Sequence, residues 1–321
     1  RSKILLDNEI LNFKVLIQDL ILDAINGYLT VLNFEKSLEA NQKNYEVISK
    51  AYNETYAKYD LGSATLYDLQ NIESSFVTAE SNLFLAKQNL EIGKKTFKRI
   101  SNLEAKDLID TINIEPNLDI NLLEESALSN NLSLALIKND IQSKEILLLK
   151  ERKTKQPNLD FTGSAEYSDA DRYDDNNETE TTKGSLKLTL TIPIFQQGID
   201  NSNIRKYHSQ ILQSELSLQD TKDQLILDIA NTFKNFQYNK SKIKSNELKI
   251  KANNTLLLIL NEEYKIGTKT LSDLIKEEEN LLYSKVESFN SKKDFLISYF
   301  ELRLLDGTLL DIFNKYLPDL S

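Results

Sequence analysis

The sequence contains no cysteine, methionine or tryptophan, and among its 321 residues it has only one histidine, four prolines and eight glycines. Without cysteine the chain cannot form a disulfide, a thiolate nucleophile or a sulfur-ligated metal site. The single histidine, His208, has no Ser/Asp or Cys arrangement to work with, and no glycine-rich phosphate loop or metal-ligand cluster appears. We therefore expect no cofactor and no metal, and an enzyme is the function class that the sequence supports least.

The charges are numerous but mixed. The 39 Lys and Arg residues are scattered among 49 Asp and Glu residues, which gives a formal net charge of −10. Neutralising nucleic-acid phosphates needs clustered Lys and Arg, so the balance argues against a nucleic-acid partner. No run of 18 uninterrupted apolar residues occurs, and on that basis the sequence predicts no transmembrane helix.

Proline, the strongest helix breaker, is absent from most of the chain. The four prolines are Pro116, Pro157, Pro193 and Pro318. The proline-free stretches that we predict to be helical are roughly residues 1–112, 119–155 and 199–316.

Two of these stretches carry a heptad-like seam, in which apolar or small residues alternate at spacings of three and four. The first seam consists of Leu69, Ile72, Phe76, Ala79, Leu83, Ala86, Leu90, Gly93 and Phe97. The second consists of Ile275, Leu282, Val286, Phe289, Leu296 and Phe300, with interruptions at Glu279 and Lys293. Such seams predict long helices that pack in antiparallel pairs.

The chain repeats itself. The segment YDLGSATLYDL (Tyr59–Leu69) matches YKIGTKTLSDL (Tyr264–Leu274) at six of eleven positions, with an offset of 205 residues (264 − 59). The flanks align at the same offset without a gap, since LDAINGY from Leu22 falls on LDIANTF from Leu227. We infer an internal duplication of a helical unit.

The repeated segment predicts a tight turn between two helices. In each copy a glycine stands where a helix should end in a left-handed conformation, and a threonine three residues later can cap the next helix. An aspartate at the third position after the threonine completes a capping box. These residues are Gly62, Thr65 and Asp68 in the first copy and Gly267, Thr270 and Asp273 in the second. The unit is predicted to be an αα-hairpin.

Between the two copies the period changes from helical to alternating. NLDFTGSAEYS (Asn158–Ser168) and SLKLTLTIPIF (Ser185–Phe195) each place apolar residues on one face and polar residues on the other. Strands of 9–11 residues are long enough to cross a bilayer at a tilt. The linking segment DADRYDDNNETETTK is acidic and polar, as an outward-facing loop would be, and Tyr167, Tyr173 and Phe195 stand where an aromatic girdle would lie. A soluble amphipathic hairpin packed on a helix is the alternative.

The duplication also predicts a missing piece. Shifted back by 205 residues, the second strand lands before residue 1. We therefore expect a matching β-hairpin ahead of the first half, and an N-terminally truncated chain.

These features resemble the outer membrane efflux protein family, the TolC-like channels. The resemblance is carried by the two Tyr-x-x-Gly-x-x-Thr-x-x-Asp tips, by LTIPIFQQG (Leu190–Gly198), and by Asn131–Ser168, which resembles the family's bridging helix leading into its second hairpin. It covers essentially the whole chain.

The resemblance implies an outer-membrane exit channel for tripartite efflux or type I secretion in a Gram-negative bacterium, acting as a passive conduit. It implies a homotrimer whose protomers share one transmembrane β-barrel continued by a helical barrel in the periplasm. It also implies contact with outer-membrane lipid and partnership with a periplasmic adaptor (membrane fusion) protein and an inner-membrane pump or ABC transporter. The implied lumen-facing strand residues are Asp160, Glu166, Lys187, Thr189 and Thr191.

In the family, polar contacts between neighbouring coiled coils hold the hairpin tips shut. By motif position, Tyr264 matches the latch tyrosine, Asp68 its acidic partner and Tyr67 a second hydrogen-bonding partner. Lys269 stands in place of the latch arginine, and lysine cannot make the planar bidentate contact of arginine. Roles confined to capping, for the aspartates, or to filling the hairpin end, for the tyrosines, are the alternatives.

A ring of acidic residues is also implied at the constriction. Asp273 matches one acidic position of the family, whereas Lys276 stands at a second. Because Glu277, Glu278 and Glu279 follow at once, the acidic field is expected to be displaced along the helix.

The fold class predicted is mainly α with a small β part. We expect four segments: the first helical hairpin (1–112), a linker with the bridging helix (113–157), a transmembrane β-hairpin (158–197), and the second helical hairpin with the C-terminal segment (198–321). A soluble coiled-coil scaffold, a periplasmic adaptor and a pore-forming toxin are the rival interpretations. An adaptor would have one helical hairpin with Gly-rich β domains, and a toxin would normally carry an apolar insertion segment.

Overall fold

The computed structural model describes residues 1–109, 118–170, 179–194 and 198–317. The fold is mainly α-helical with one small antiparallel sheet, as the sequence predicts. The helices are α1 (Ser2–Asp60), α2 (Leu66–Ser101), α3 (Ile120–Asn130), α4 (Leu132–Lys153), α5 (Ile199–Lys265), α6 (Leu271–Leu305) and α7 (Leu309–Phe313), followed by a 3₁₀ turn at Asn314–Tyr316. The strands are β1 (Asn158–Ala170) and β2 (Thr179–Thr191).

Three helix boundaries differ from the proline-based prediction. Within 199–316, α6 ends at Leu305 and a left-handed Gly307 (φ 78°) separates it from α7. Helix α2 ends at Ser101 rather than near residue 112, because Asn102 adopts a left-handed conformation (φ 56°) that closes the helix. The stretch expected to be helical over 119–155 is split into α3 and α4 at Asn131, which is extended (ψ 125°). Pro116, Pro318, Tyr173 and Phe195 lie outside the described residues, as do parts of the linking loop and of the LTIPIFQQG motif.

Helix α1 meets a length-and-composition criterion for a membrane span that the expectation did not apply. It contains an 18-residue window with a mean hydropathy of 1.5 that is 17% buried, so by length and composition alone it is apolar enough to cross a membrane. The expectation relied on uninterrupted apolar runs, whereas a window average tolerates scattered polar residues. Core helices and N-terminal signal sequences satisfy the same criterion.

The first predicted seam is the buried face of α2. All but two of its residues are buried. Leu90 and Phe97 belong to one buried cluster with Val31 of α1, and Ile72 and Ala79 belong to another with Ile48 of α1. The buried residues are Ile72, Ala79, Leu83, Ala86, Leu90, Gly93 and Phe97.

The second predicted seam is wrong for most of its length. The buried seam of α6 is displaced by a residue or two and is rich in serine, while the predicted apolar residues from Leu282 to Leu296 are only half-buried. They line grooves against α1, so that α6 has one face toward its own hairpin partner and another toward the first hairpin. The observed seam is Leu281, Ser284, Ser288, Ser291, Phe295, Ser298 and Leu302.

The two strands pair in one antiparallel register, from Asn158↔Thr191 to Ala170↔Thr179. Strand β2 therefore begins earlier than the predicted start at Ser185 and also ends earlier than the predicted end at Phe195. Ile192 and Ile194 have no residue of β1 opposite them, and Pro193 between them has no amide to donate to a ladder.

The chain divides into two compact units. Unit 1 comprises Arg1–Glu9 with Leu134–Thr221, and it contains both strands. Unit 2 comprises Ile10–Ser133 with Lys222–Ser321, and it contains both hairpin turns. The four segments predicted from the sequence stay a prediction.

Candidate functional site at the hairpin tips

Each helical hairpin turns through the same backbone motif. In the first tip the amide of Gly62 donates to Tyr59 O (2.9 Å) and that of Ser63 to Lys58 O (2.8 Å), which is a Schellman motif. In the second tip the donors are Gly267 and Thr268, and the acceptors are Tyr264 and Glu263. Both glycines are left-handed (φ 73° and 78°), as a Schellman stop requires.

The predicted capping boxes are present at both tips. Thr65 Oγ1 accepts from the amide of Asp68 (3.1 Å), while Asp68 Oδ2 accepts from the amide and hydroxyl of Thr65 (3.1 and 2.6 Å). Thr270 and Asp273 repeat this arrangement, with distances of 3.2, 3.1 and 2.9 Å in the same order. One carboxylate oxygen of each aspartate is thereby committed to the turn, and the other stays available for a partner.

These hydrogen bonds favour the ionised aspartates. The hydroxyl and amide of Thr65 lower the pKa of Asp68. The amide and hydroxyl of Thr270 lower the pKa of Asp273, with smaller contributions from Lys269 and Lys276. Both tips therefore carry a fixed negative charge at neutral pH.

The two tips contact each other inside one chain. Lys58 of α1 donates from Nζ to the hydroxyl of Tyr264 (3.4 Å), and its ammonium lies 5.6 Å from the centre of that ring. Between the other two helices of the tips, Asn71 Nδ2 of α2 donates to Ser272 Oγ of α6 (3.3 Å). Polar contacts thus tie α1 to α5 and α2 to α6 near their tip ends.

An apolar cluster lies beneath these polar contacts. Ile72 of α2 and Ile275 of α6 are both buried in it, together with Ile48 of α1. The hairpins therefore share a small core near the tips, with polar contacts on its rim.

The other residues assigned to the latch stand apart in the single chain. Tyr67 is 72% exposed and Lys269 is also exposed, and among the described residues neither side chain makes a hydrogen bond. Asp68 bonds Thr65 of its own turn rather than Tyr264. Their latch roles, which the resemblance assigns to contacts between neighbouring coiled coils, stay predictions.

The acidic run after Asp273 spreads around α6. Glu277 accepts from Asn280 (3.0 Å), and burial raises the pKa of Glu278, which lines a groove against α1 and α5. Glu279 is exposed and lines a groove of about 560 Å³ against α1 and α2. The three carboxylates therefore do not form a single acidic patch.

The β-hairpin has two chemically distinct faces. Because directly paired residues of an antiparallel ladder share a face, Leu159↔Leu190 and Phe161↔Leu188 lie together on an apolar face. These four side chains are exposed, and Phe161 reaches 71%. The five strand residues that the resemblance assigns to the lumen share the opposite, polar face: Asp160, Glu166, Lys187, Thr189 and Thr191.

The described part of the chain contains no cluster of three or more His, Asp and Glu residues arranged to hold a metal ion.

Comparison with known proteins identifies the family. The profile of the outer membrane efflux protein family matches residues 123–308, which is more than half of the chain. The chain belongs to this family.

Relatives and solved structures agree with this assignment. The outer membrane protein TolC of Escherichia coli strain K12 is 24% identical over 310 residues, which cover 91% of this chain. The chain spans 62% of the length of that relative. Two solved structures share the fold. The outer-membrane channel OprN has a TM-score of 0.80 at 13% identity, and the match covers 96% of this chain and 70% of that one. The Campylobacter jejuni CmeC outer membrane channel has a TM-score of 0.76 at 17% identity, and the match covers 96% of this chain and 66% of that one.

Sequence reasoning within this family missed three residues of the tip contact: Lys58, Asn71 and Ser272. The duplication hides them, because the equivalents of Lys58 and Asn71 at the 205-residue offset are Glu263 and Lys276. Tyr264 of the same contact is identical to its equivalent, Tyr59, so the repeats differ on the Lys58 side only. The difference between the repeats at positions 58 and 71 was the signal that could have revealed these residues.

Proposed function

We propose that this member of the outer membrane efflux protein family is the exit channel of an efflux or type I secretion system. The channel does no chemistry of its own. It is a conduit through the outer membrane of a Gram-negative bacterium, with its helical part in the periplasm, and its periplasmic tips open and close.

The two-faced β-hairpin carries this proposal. Its exposed apolar face suits lipid, and its polar face suits a water-filled lumen. A two-stranded sheet leaves unpaired edges that lipid cannot satisfy, so the hairpin must be completed by other strands. A homotrimer with a shared barrel closes those edges, with Asp160, Glu166 and Lys187 facing the lumen.

The gate in this proposal is the set of polar contacts at the tips. The contact between Lys58 and Tyr264 holds the two hairpins of one chain together, and Tyr67, Asp68 and Lys269 meet the tips of neighbouring protomers. Docking of a periplasmic adaptor and an inner-membrane pump favours the open state by binding it better. Leu61 and Ile266, which are 83% and 74% exposed at equivalent positions of the two turns, offer apolar contacts for such a partner.

Single-channel conductance of the full-length protein in a planar bilayer tests the proposal. We expect a small resting conductance that rises several-fold in a variant with Tyr264→Phe and Lys269→Ala, and also in Lys58→Gln. Tyr59→Phe is the matched control, because Tyr59 is the equivalent of Tyr264 in the first copy. The conductance of this variant should equal that of the unmodified protein. A folded trimer that does not conduct in any form would refute the channel.

A further inference from the structure

We propose that the basic side chains next to the β-hairpin form a binding surface for anionic phospholipid headgroups of the bilayer that the hairpin crosses. The surface, which we call the basic collar, consists of Lys150, Arg152, Lys153, Lys155, Arg205 and Lys206. The inference rests on the proposed function insofar as the hairpin must lie in a membrane.

The collar lies immediately beside the strands within unit 1. Its first four residues occupy the end of α4 and the turn that leads to β1, which begins at Asn158. Arg205 and Lys206 lie six and seven residues after the start of α5, roughly 10 Å along that helix. A hairpin immersed in lipid would therefore hold the collar at headgroup depth.

Side-chain contacts hold the two parts of the collar together. The end of α4 and the start of α5 run side by side, and three pairs join them: Arg152 with His208 (3.0 Å), Lys155 with Asn201 (2.5 Å) and Asn203 with Glu151 (2.6 Å). The collar is consequently one surface rather than two separate clusters.

The collar is strongly positive in a negative protein. The segments 149–156 and 199–208 contain the six cations and two carboxylates, those of Glu151 and Asp200, and so carry an excess of four positive charges. The whole chain has a net charge of −10. This local reversal of sign is what an anionic lipid surface requires.

Most of these cations are not used inside the protein. All six are exposed, and within the described residues no ion pair or side-chain hydrogen bond engages Lys150, Lys153, Arg205 or Lys206. Cations in the last turn of α4 are favoured by the helix dipole, but Arg205 and Lys206 stand near the positive end of α5, where the dipole gives no such benefit. At the 205-residue offset Arg1 aligns with Lys206, so this one position is basic in both copies.

Vesicle binding by the full-length protein tests the collar. Insertion is measured by flotation with vesicles of phosphatidylcholine alone and with vesicles in which about a third of the lipid is phosphatidylglycerol, at low and high salt. The collar variant is Lys153→Gln with Arg205→Gln and Lys206→Gln. The matched control is Lys234→Gln with Lys240→Gln and Lys244→Gln, which removes three exposed lysines of the same helix α5 outside the collar.

We expect the unmodified protein to prefer the anionic vesicles at low salt, and the collar variant to lose at least about tenfold of that preference, since one cation near such a surface contributes roughly fivefold. The control should keep the preference, and all three proteins should insert equally into phosphatidylcholine. An unchanged preference in the collar variant, or an equal loss in the control, would overturn the proposal, as would full competition by free glycerol phosphate. Failure of the unmodified protein to insert into either vesicle would instead refute the membrane channel.

Discussion

Asn246 of α5 donates a 3.0 Å hydrogen bond from Nδ2 to Oγ of Ser291 of α6, and both side chains are buried inside the second hairpin. The serine hydroxyl donates in turn to Glu287 O (2.6 Å), so its hydrogen-bonding capacity is well used. The same pair recurs one heptad away on each side, as Asn253 with Ser284 (3.1 Å) and Asn239 with Ser298 (3.4 Å). The helices of this hairpin are therefore joined by a polar ladder.

The first hairpin has no such ladder at the equivalent positions. Subtracting 205 from each residue number turns the serines into Ala79, Ala86 and Gly93, and two of the three asparagines into Phe34 and Ile48. The first hairpin thus pairs a large with a small apolar residue at two of these three positions, where the second pairs amides with hydroxyls. At the third position Asn41 is the equivalent of Asn246 and Ala86 that of Ser291, and the Asn41 amide bonds Ser37 O of its own helix (2.8 Å) instead of the partner helix.

Breaking one rung of the ladder should destabilise the second hairpin. Ser291→Ala leaves the buried Asn246 amide without its acceptor, and we expect a loss of about 1–3 kcal/mol in the free energy of unfolding. Asn246→Leu combined with Ser291→Ala should lie closer to the unmodified protein, since both polar partners are gone. Asn41→Ala is the control, because that amide bonds Ser37 O within its own helix (2.8 Å). Denaturant unfolding measures these free energies of unfolding. A double variant whose loss equals the sum of the losses of the two single variants would contradict an interaction between Asn246 and Ser291.

A helix glycine sets the fit of the first hairpin. A Cβ at Gly93 would lie 2.8 Å from Cδ2 of Phe34, whereas a Cβ at Gly27 would meet its nearest neighbour at 3.4 Å. We expect Gly93→Ala to destabilise by about 1–3 kcal/mol despite better helix propensity, because the ring must move. Gly27→Ala should be close to neutral, and Phe34→Leu should restore Gly93→Ala. Thermal unfolding measures all three, and a stabilised Gly93→Ala would refute the close fit.

The tip turns were predictable from sequence because their determinants are local. A glycine that must be left-handed and a Thr-x-x-Asp box act within six residues, so Gly62 and Thr65 fix the turn without reference to the rest of the fold. The seam of α6 was not predictable from hydrophobicity, since its buried serines look like surface residues until their partners on α5 are known. Adding 205 to the residue numbers of the α2 seam gives it directly, from Leu281 as the equivalent of Phe76 to Leu302 as the equivalent of Phe97.

The contact between the tips depends on how the hairpins pack. Lys58 and Tyr264 are 206 residues apart and meet because α1 and α5 belong to adjoining hairpins. No local pattern marks Lys58, and the resemblance to the family points to other residues of the tips.

Removing a cap should loosen one tip selectively. Thr65→Ala removes both hydrogen bonds of its hydroxyl, with an expected cost of about 1 kcal/mol localised at the start of α2. Hydrogen exchange of the tip amides should accelerate roughly fivefold, while the second tip stays unchanged. Thr255→Ala is the control, because Thr255 lies mid-helix and bonds only Lys251 O (3.0 Å). Equal acceleration of tip amide exchange in Thr65→Ala and Thr255→Ala would contradict a stabilising role for the capping box.

The tips should also loosen in acid, with a sign set by the aspartates. Hydrogen bonds from the hydroxyl and amide of Thr65 hold the pKa of Asp68 below its ordinary value of 3.8. A group whose pKa is lowered by folding stabilises the folded state fully above its ordinary pKa, and it loses that contribution as the pH falls through the lowered value. Protection of the tip amides, corrected for intrinsic exchange, should therefore be constant at neutral pH and decline only below about pH 4. Asp68→Asn should remove the decline at the first tip and leave it at the second, where Asp273 is intact. A decline at the first tip that survives this substitution would mean that another group titrates there.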